Sequence, residues 1–423
     1  MIILYYSLVK DPSNCFNLTV MMTAASSIDR SERPIWFVVA SGIVALAVAM
    51  GIGRFAFTPL LPLMLRDGTL SAASGAEWAA ANYVGYLAGA LTASWFASDP
   101  QRGLRLAVLG VAVTTLAMTW IDGSSMGLAG AVLRAASGIF SAWALVCTSS
   151  WCLAELAHRQ APRLGAWIYT GVGLGITLAG VIAWLGGRQP ARWLWLELGL
   201  LAAVGFVFIA LGRRTSDASL AVRALPTPRG GMGGHLGLVL CYGILGFGYI
   251  VPATFLPTMA QQQVSDPLVF GLTWPVFGLA AALSVAAAAR WLSGWPRRRV
   301  WALAHGAMAI GTAMPLATQA LWSLAVSAVL VGGTFMVTTM VGLQLAREHL
   351  PANPTPLLAR MTAAFATGQI AGPLLVRALG NGLAGWDAMA WANAVATVLL
   401  GLTAGWLWRE AAPRASSTSQ PMS

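Results

Sequence analysis

The chain has 423 residues, 57% of them hydrophobic and only 9% charged, with a formal net charge of +11. A soluble domain carries about 25% charged residues, so this chain lacks the polar surface that water demands, and a bilayer is the solvent that suits it. Its 25 Lys and Arg residues recur in short gaps between apolar stretches and build no basic domain, which excludes a nucleic-acid-binding module. The 4 cysteines and 4 histidines are scattered and fit neither a zinc pattern nor a disulfide framework.

Residues 1–34 open with MIILYYSLV, and the first Lys, Lys10, follows that apolar run. A secretory signal has the reverse order, so the segment reads as a cytoplasmic tail, with Met21 or Met22 as alternative starts. A helix needs about 20 apolar residues to cross the hydrocarbon core. Twelve stretches meet that need: 35–64, 77–97, 104–121, 126–154, 164–185, 192–212, 235–259, 267–291, 300–318, 321–345, 356–379 and 387–408. One long gap, 213–234 (RRTSDASLAVRALPTPRGGMGG), is rich in Arg, Pro and Gly. It separates a first six-helix bundle (35–212) from a second (235–409), and residues 410–423 form a second tail. The fold expected is an all-α polytopic membrane protein of two six-helix halves.

The halves resemble each other. GIGRFAFTPLLPLM (51–64) in the first helix and GFGYIVPATFLPTM (246–259) in the seventh align at an offset of 195, from Gly51 to Gly246. Gly53, Leu61, Pro62 and Met64 then match Gly248, Leu256, Pro257 and Met259. In the fifth and eleventh helices Arg163, Ala166, Thr170, Gly171 and Gly175 match Arg360, Ala363, Thr367, Gly368 and Gly372, at an offset of 197. Six helices per unit leave both units in one orientation, a parallel repeat. If the N-terminus is inside, Arg66, Arg188, Arg192 and Arg377 lie outside and Arg54 and Arg134 inside helices, while every other Lys and Arg is cytoplasmic. That asymmetry places both termini in the cytoplasm, and the membrane expected is a bacterial inner membrane.

Two six-helix halves with a basic central loop resemble the major facilitator superfamily over nearly the whole chain. GIGRFAFTPLLPLM in the first helix and AEWAAANYVGYLAGAL in the second resemble its YbfB/YjiJ group more narrowly. The resemblance implies a permease in which the first, fourth, seventh and tenth helices line a central cavity that opens alternately to each side. It also implies a gating loop between the second and third helices, where ASDPQRGLRL offers Asp99, Arg102 and Arg105 but lacks the leading Gly. The loop LSGWPRRRV, between the eighth and ninth helices, is basic without an acid. The fifth helix has the glycines of an exporter motif in GVGLGITLAG (171–180) without its proline, whereas the eleventh has Gly372-Pro373.

Charge inside a bilayer costs roughly 2.5–3.5 kcal/mol at a helix centre and is functional by default. Arg54, Arg134 and Glu197 fall in the outer half of the first bundle. On two cavity-lining helices, Arg54 and Arg134 form a cationic pair for an anionic substrate, since the guanidinium fork binds carboxylate or phosphate and stays charged. The alternatives are snorkelling of Arg54 to the outer interface and a structural ion pair of Arg134 with Glu197. Glu197 is either a proton-coupling carboxylate or an outer-interface residue. Tyr83, Tyr249, Gln344 and Gln369 are candidates to hydrogen-bond a solute, with Asn82, Tyr86 and Tyr242 beside them; each is otherwise interhelical glue. Trp36, Trp95, Trp193, Trp195, Trp386 and Trp408 read as an interfacial belt, and Gly85 with Gly89 as a close-packing face.

The function expected is secondary active transport of a small solute, an organic anion with protons as coupling ion, by a monomer with no cofactor and no metal. The alternative is export of hydrophobic or cationic compounds, although no acidic residue sits at mid-membrane in the first or fourth helix. A membrane-embedded enzyme, channel or receptor is the different-class alternative. No HExxH motif, paired carboxylates or Gly-rich Lys-containing phosphate loop occurs.

Overall fold

A computed structural model describes residues 34–121, 127–212, 235–263, 272–318, 320–380 and 382–411. The tails, up to residue 33 and from 412, and the linker 213–234 lie outside the described residues. The described residues form helices joined by short turns. The first half holds α1 (Ile35–Arg66), α2 (Ala72–Thr92), α3 (Pro100–Ala117), α4 (Gly127–His158), α5 (Pro162–Leu185) and α6 (Ala191–Leu211). The second half holds α7 (Leu236–Gln263), α8 (Thr273–Trp291), α9 (Arg297–Ala317), α10 (Leu321–His349), α11 (Thr355–Leu379) and α12 (Ala388–Glu410). Ten of these twelve are long and apolar enough to cross a membrane by length and composition. The other two, α2 and α11, pack against each other across the halves. Helices that meet protein in place of lipid tolerate a more polar sequence.

The sequence repeat reappears as a packing repeat. Within the first half α1 packs on α5, α2 on α4, α3 on α4, and α3 on α6. Six helices on, α7 packs on α11, α8 on α10, α9 on α10, and α9 on α12. Across the halves α5 meets α8 and α2 meets α11, which is one contact seen twice through the pseudo-twofold relation. We call the end of the bundle where α1 starts the near face and its opposite the far face. Side-chain caps fix several helix starts: Ser71 caps α2, Asp99 caps α3 through the Arg102 N–H, and Asp387 caps α12.

Glycine lets these helices touch backbone to backbone. A Cβ on Gly51 would lie 2.3 Å from Gly175 Cα, and one on Gly246 would lie 2.1 Å from Phe365 O, so the repeated glycines seat α1 on α5 and α7 on α11. The α2–α4 seam uses Gly85, Gly89 and Gly138, whose added Cβ atoms would fall 1.9, 2.4 and 2.2 Å from carbonyl oxygens of the facing helix. Small residues drive association in lipid because they admit close dispersion contact. Gly85→Ala is therefore expected to cost about 1–3 kcal/mol or more by overpacking. In α12 the equivalent change at Gly401, where a Cβ meets nothing within 4 Å, is expected to be neutral or mildly stabilising. Thermal unfolding of the two detergent-solubilised variants checks both expectations.

Tryptophans at helix ends face outward: Trp36, Trp95, Trp193, Trp386 and Trp408 are all exposed. Trp195 departs from the belt expected for it. It is buried, and its indole Nε1 donates to Met64 Sδ at 3.4 Å. On α6 it lies two positions from the exposed Trp193, so two helical steps of about 100° each turn it from lipid to α1.

Candidate functional site

The centre of the molecule starts from a break in α1. Ala47–Phe55 forms a π-helical segment, and from Val48 onward all of it is buried. In a π-turn each N–H reaches five residues back, which widens the helix and leaves carbonyls short of partners. Pro59 follows closely and has no N–H to return to this turn. The facing helix α4 supplies the missing donors. Arg134 donates from Nη1 to Gly53 O at 2.9 Å and from Nη2 to Arg54 O at 3.1 Å. Ser137 donates to Gly53 O at 2.7 Å and Ser141 to Ala49 O at 2.6 Å. Asn82 of α2 ties the other side of α4 down by donating to Arg134 O.

Held this way, the segment turns Arg54 inward. Its side chain is 3% exposed, so Arg54 does not snorkel to the far interface. Its guanidinium carbon lies 3.9 Å from the Tyr86 ring centroid, with Tyr83, Phe55 and Phe365 within 5.7 Å. Nη2 donates to Gln369 Oε1 of α11, and Gln369 Nε2 donates to the Tyr249 hydroxyl of α7. One hydrogen-bonded chain thus runs from the first half into the second. Nε and Nη1 of Arg54 are buried without a partner among the described residues. Arg54 and Arg134 are the charged side chains among the buried described residues, with no Asp or Glu beside them.

Around this chain stands a column of near-parallel rings. Tyr249 stacks on Phe365 at 5.4 Å and on Phe335 at 5.2 Å. Phe335 stacks on Phe277, and Phe277 on Trp274, at 5.4 Å each. Such offset stacks favour ring faces at these spacings. Rings from α7, α8, α10 and α11 thus converge on a guanidinium from α1.

The remaining expected residues separate into distinct places. Tyr83 and Tyr249 join Arg54, as does Gln369. The Arg134 guanidinium belongs to the wall behind Arg54: it binds backbone and lies 4.7 Å from the Phe57 ring. Glu197 is exposed on α6, and Arg134 takes its partners from carbonyls. Gln344 lies nine residues along α10 from Phe335, about 14 Å by the helical rise. There it accepts from Arg297 Nη1 at 2.8 Å on the near face, where Arg297 also pairs with Glu348. In the gating loop Asp99 is the cap of α3, Arg105 donates to Gly212 O at the end of α6, and Arg102 is exposed. Tyr242 is buried and packs on Trp301 and Phe365.

Several residues of the centre carried no mark in the sequence. Phe55, Phe335, Phe365, Phe277 and Trp274 look like ordinary membrane aromatics, and Ser137 and Ser141 like routine helix polar residues. A usable signal lay in spacing: Phe365 and Gln369 are four apart on one helical face, and Arg134, Ser137 and Ser141 repeat at three and four.

Comparison with known proteins agrees with this architecture. The human organic anion transporter MFSD10 (TETRAN) superposes with a TM-score of 0.66 at 18% identity, covering 90% of this chain and 99% of its own. The proton:xylose symporter XylE, bound to 6-bromo-6-deoxy-D-glucose, superposes with a TM-score of 0.69 at 14% identity, covering 89% and 96%. A double-tryptophan variant of XylE gives 0.67 at 13%, covering 91% and 97%. At such identities the likeness shows the fold alone. No curated protein matches the sequence. The family model described as "Uncharacterised MFS-type transporter YbfB" matches residues 46–405, and the chain therefore belongs to this group of multi-pass membrane transporters.

Proposed function

We propose that this transporter carries a small organic anion, with Arg54 as the group that receives it. The observation that supports this reading is a buried guanidinium with two unmade donors and no buried carboxylate among the described residues. A charge held in that state is costly unless it is paired, and an arriving anion supplies the pair. The halves 35–212 and 235–409 rock against each other about this centre, as the repeat architecture allows. Tyr83, Tyr249 and Gln369 surround the anion, Arg134 holds the wall, and Gln344 belongs to the near-face gate. The near face is the cytoplasmic one in this reading, since the positive loops lie there, and the membrane is a bacterial inner membrane. Glu197, exposed on α6, takes no part in receiving the anion in this reading.

A ligand at a hundredfold excess over its Kd raises stability by about 2.7 kcal/mol, which a thermal-unfolding screen in detergent detects. Organic anions are expected to raise the unfolding temperature of the wild-type monomer, and lipophilic cations to leave it unchanged. Stabilisation by cations alone would replace this reading with the exporter of cationic compounds.

A further inference from the structure

We infer that the anion is an aromatic carboxylate, a flat ring conjugated with or close to its carboxyl group. This rests on the anion reading above and specifies the substrate class at the same site. Three observations carry it. The first is the way Gln369 engages the guanidinium. Arginine offers a carboxylate two forked edges, Nε with Nη2 and Nη1 with Nη2, and Nη2 belongs to both. Nη2 carries two N–H groups, one in each fork, and Gln369 takes one of them, while Nε and Nη1 stand without partners among the described residues. One fork therefore stands complete and open to a carboxylate, the geometry that makes Arg–carboxylate pairs strong.

The second observation is direction. A forked carboxylate lies in the plane of the guanidinium, and the rest of the molecule extends away from the Arg54 edge. The chain from Arg54 through Gln369 to the Tyr249 hydroxyl marks where that extension leads. It ends on the ring column, where Tyr249 stands between Phe365 and Phe335 with interplanar angles of 4° and 13°.

The third is the chemistry of the walls. Tyr86 covers one side of the guanidinium at 3.9 Å, and Phe55 and Phe365 flank it. Rings from both halves thus bound the space beside Arg54: Phe55, Tyr83 and Tyr86 from the first, and Tyr249, Phe335 and Phe365 from the second. In this conformation they fill the centre with one another. When the halves part, ring faces separate from ring faces, and a flat aromatic body replaces that packing in kind, whereas a sugar or a short hydroxy acid leaves the faces without partners. The Tyr249 hydroxyl, released from Gln369, becomes a polar handle at the far side of the ligand ring.

Benzoate and cyclohexanecarboxylate test the inference, because they match in charge and approximate size and differ in the π-face. Their binding is measured by thermal shift of the full-length protein in detergent, on wild type, Arg54→Gln, Phe335→Leu and Phe365→Leu. Benzoate is expected to bind roughly two- to tenfold more tightly than cyclohexanecarboxylate, the range that aromatic pairing adds beyond burial. That preference is expected to shrink toward unity in Phe335→Leu and Phe365→Leu, and neither ligand is expected to bind Arg54→Gln. Equal affinity for the two carboxylates, still dependent on Arg54, would overturn the aromatic assignment and leave the anion reading standing. Binding of either ligand that persists in Arg54→Gln, or the absence of binding by every carboxylate, would overturn both. If a leucine variant fails to fold, the wild-type affinity ratio alone decides.

Discussion

Arg54→Gln is expected to lower transport of the anion to background while leaving the protein at least as stable as wild type. Two effects oppose each other in stability. The arginine gains a cation–π contact with Tyr86, worth about 2 kcal/mol when desolvated. It also buries a charge with two donors unmade, each costing about 1–3 kcal/mol, and glutamine removes that cost while still reaching a hydrogen-bond partner. Binding has no such compensation. Two charge-assisted hydrogen bonds at about 1.5–3 kcal/mol each correspond to roughly 10²- to 10⁴-fold in affinity. Arg54→Lys keeps the charge and loses the fork, so it falls between wild type and Arg54→Gln. Gln369→Leu is expected to lower stability, because it cuts the link from Arg54 to Tyr249 and leaves one more guanidinium donor unmade. Uptake into proteoliposomes, paired with unfolding temperature on the same preparations, separates these outcomes. A stable Arg54→Gln protein that transports as well as wild type would exclude Arg54 from the path.

A site whose residues lower stability when the ligand is away is what a transporter needs. If Arg54 were paired with a carboxylate of its own, the anion would compete with a full ion pair and not with one amide oxygen. The chain from Arg54 to Gln369 to Tyr249 also joins α1 of the first half to α7 and α11 of the second. Any movement that parts the halves must break this link.

The repeat was legible because Gly51, Gly246, Gly175 and Gly372 carry it in composition, and each of them faces a neighbouring helix at close range. The spans were legible because lipid imposes length and hydropathy directly. Arg54 was legible as a costly intramembrane charge, although only packing could show that it turns inward and not toward the interface. Arg134 looked the same by that criterion, yet its guanidinium meets the carbonyls of Gly53 and Arg54; the cost of a buried charge does not reveal which acceptors it meets. Glu197 appeared close to Arg134 in depth, but depth gives no azimuth, and on α6 it is exposed. The ring column was invisible because its members come from α7, α8, α10 and α11, and stacking across helices leaves no local pattern. Gln344 was placed by helix number alone; its position along α10 sets it with Arg297 on the near face.

Arg134→Met is expected to destabilise the fold by about 2 kcal/mol or more, and Pro59→Ala is expected to restore part of that loss. The reasoning follows the hydrogen bonds of the π-segment. An N–H at position 59 would return to Phe55 O in an α-turn or to Arg54 O in a π-turn, and proline has none. Arg134 fills the deficit by donating to Arg54 O, with a second bond to Gly53 O beside it. Without it Gly53 O keeps the Ser137 hydroxyl, but Arg54 O loses its side-chain donor in a medium with no water, which costs about 1–3 kcal/mol. An alanine at 59 brings back one backbone donor beside that carbonyl. The double variant Pro59→Ala/Arg134→Met should therefore be more stable than Arg134→Met alone, with an interaction energy of about 1 kcal/mol, in the range seen for residues sharing a hydrogen-bond network. Unfolding temperatures of the four proteins of this cycle measure it. A stable Arg134→Met variant that has lost anion binding would instead return Arg134 to the substrate, as one of a pair with Arg54. Additive losses in the cycle would show that Arg134 stabilises α1 through something other than the Arg54 carbonyl that Pro59 leaves short. The outcome expected here divides the two buried arginines by role: one holds the backbone open so that the other can stand, uncompensated, where an anion is received.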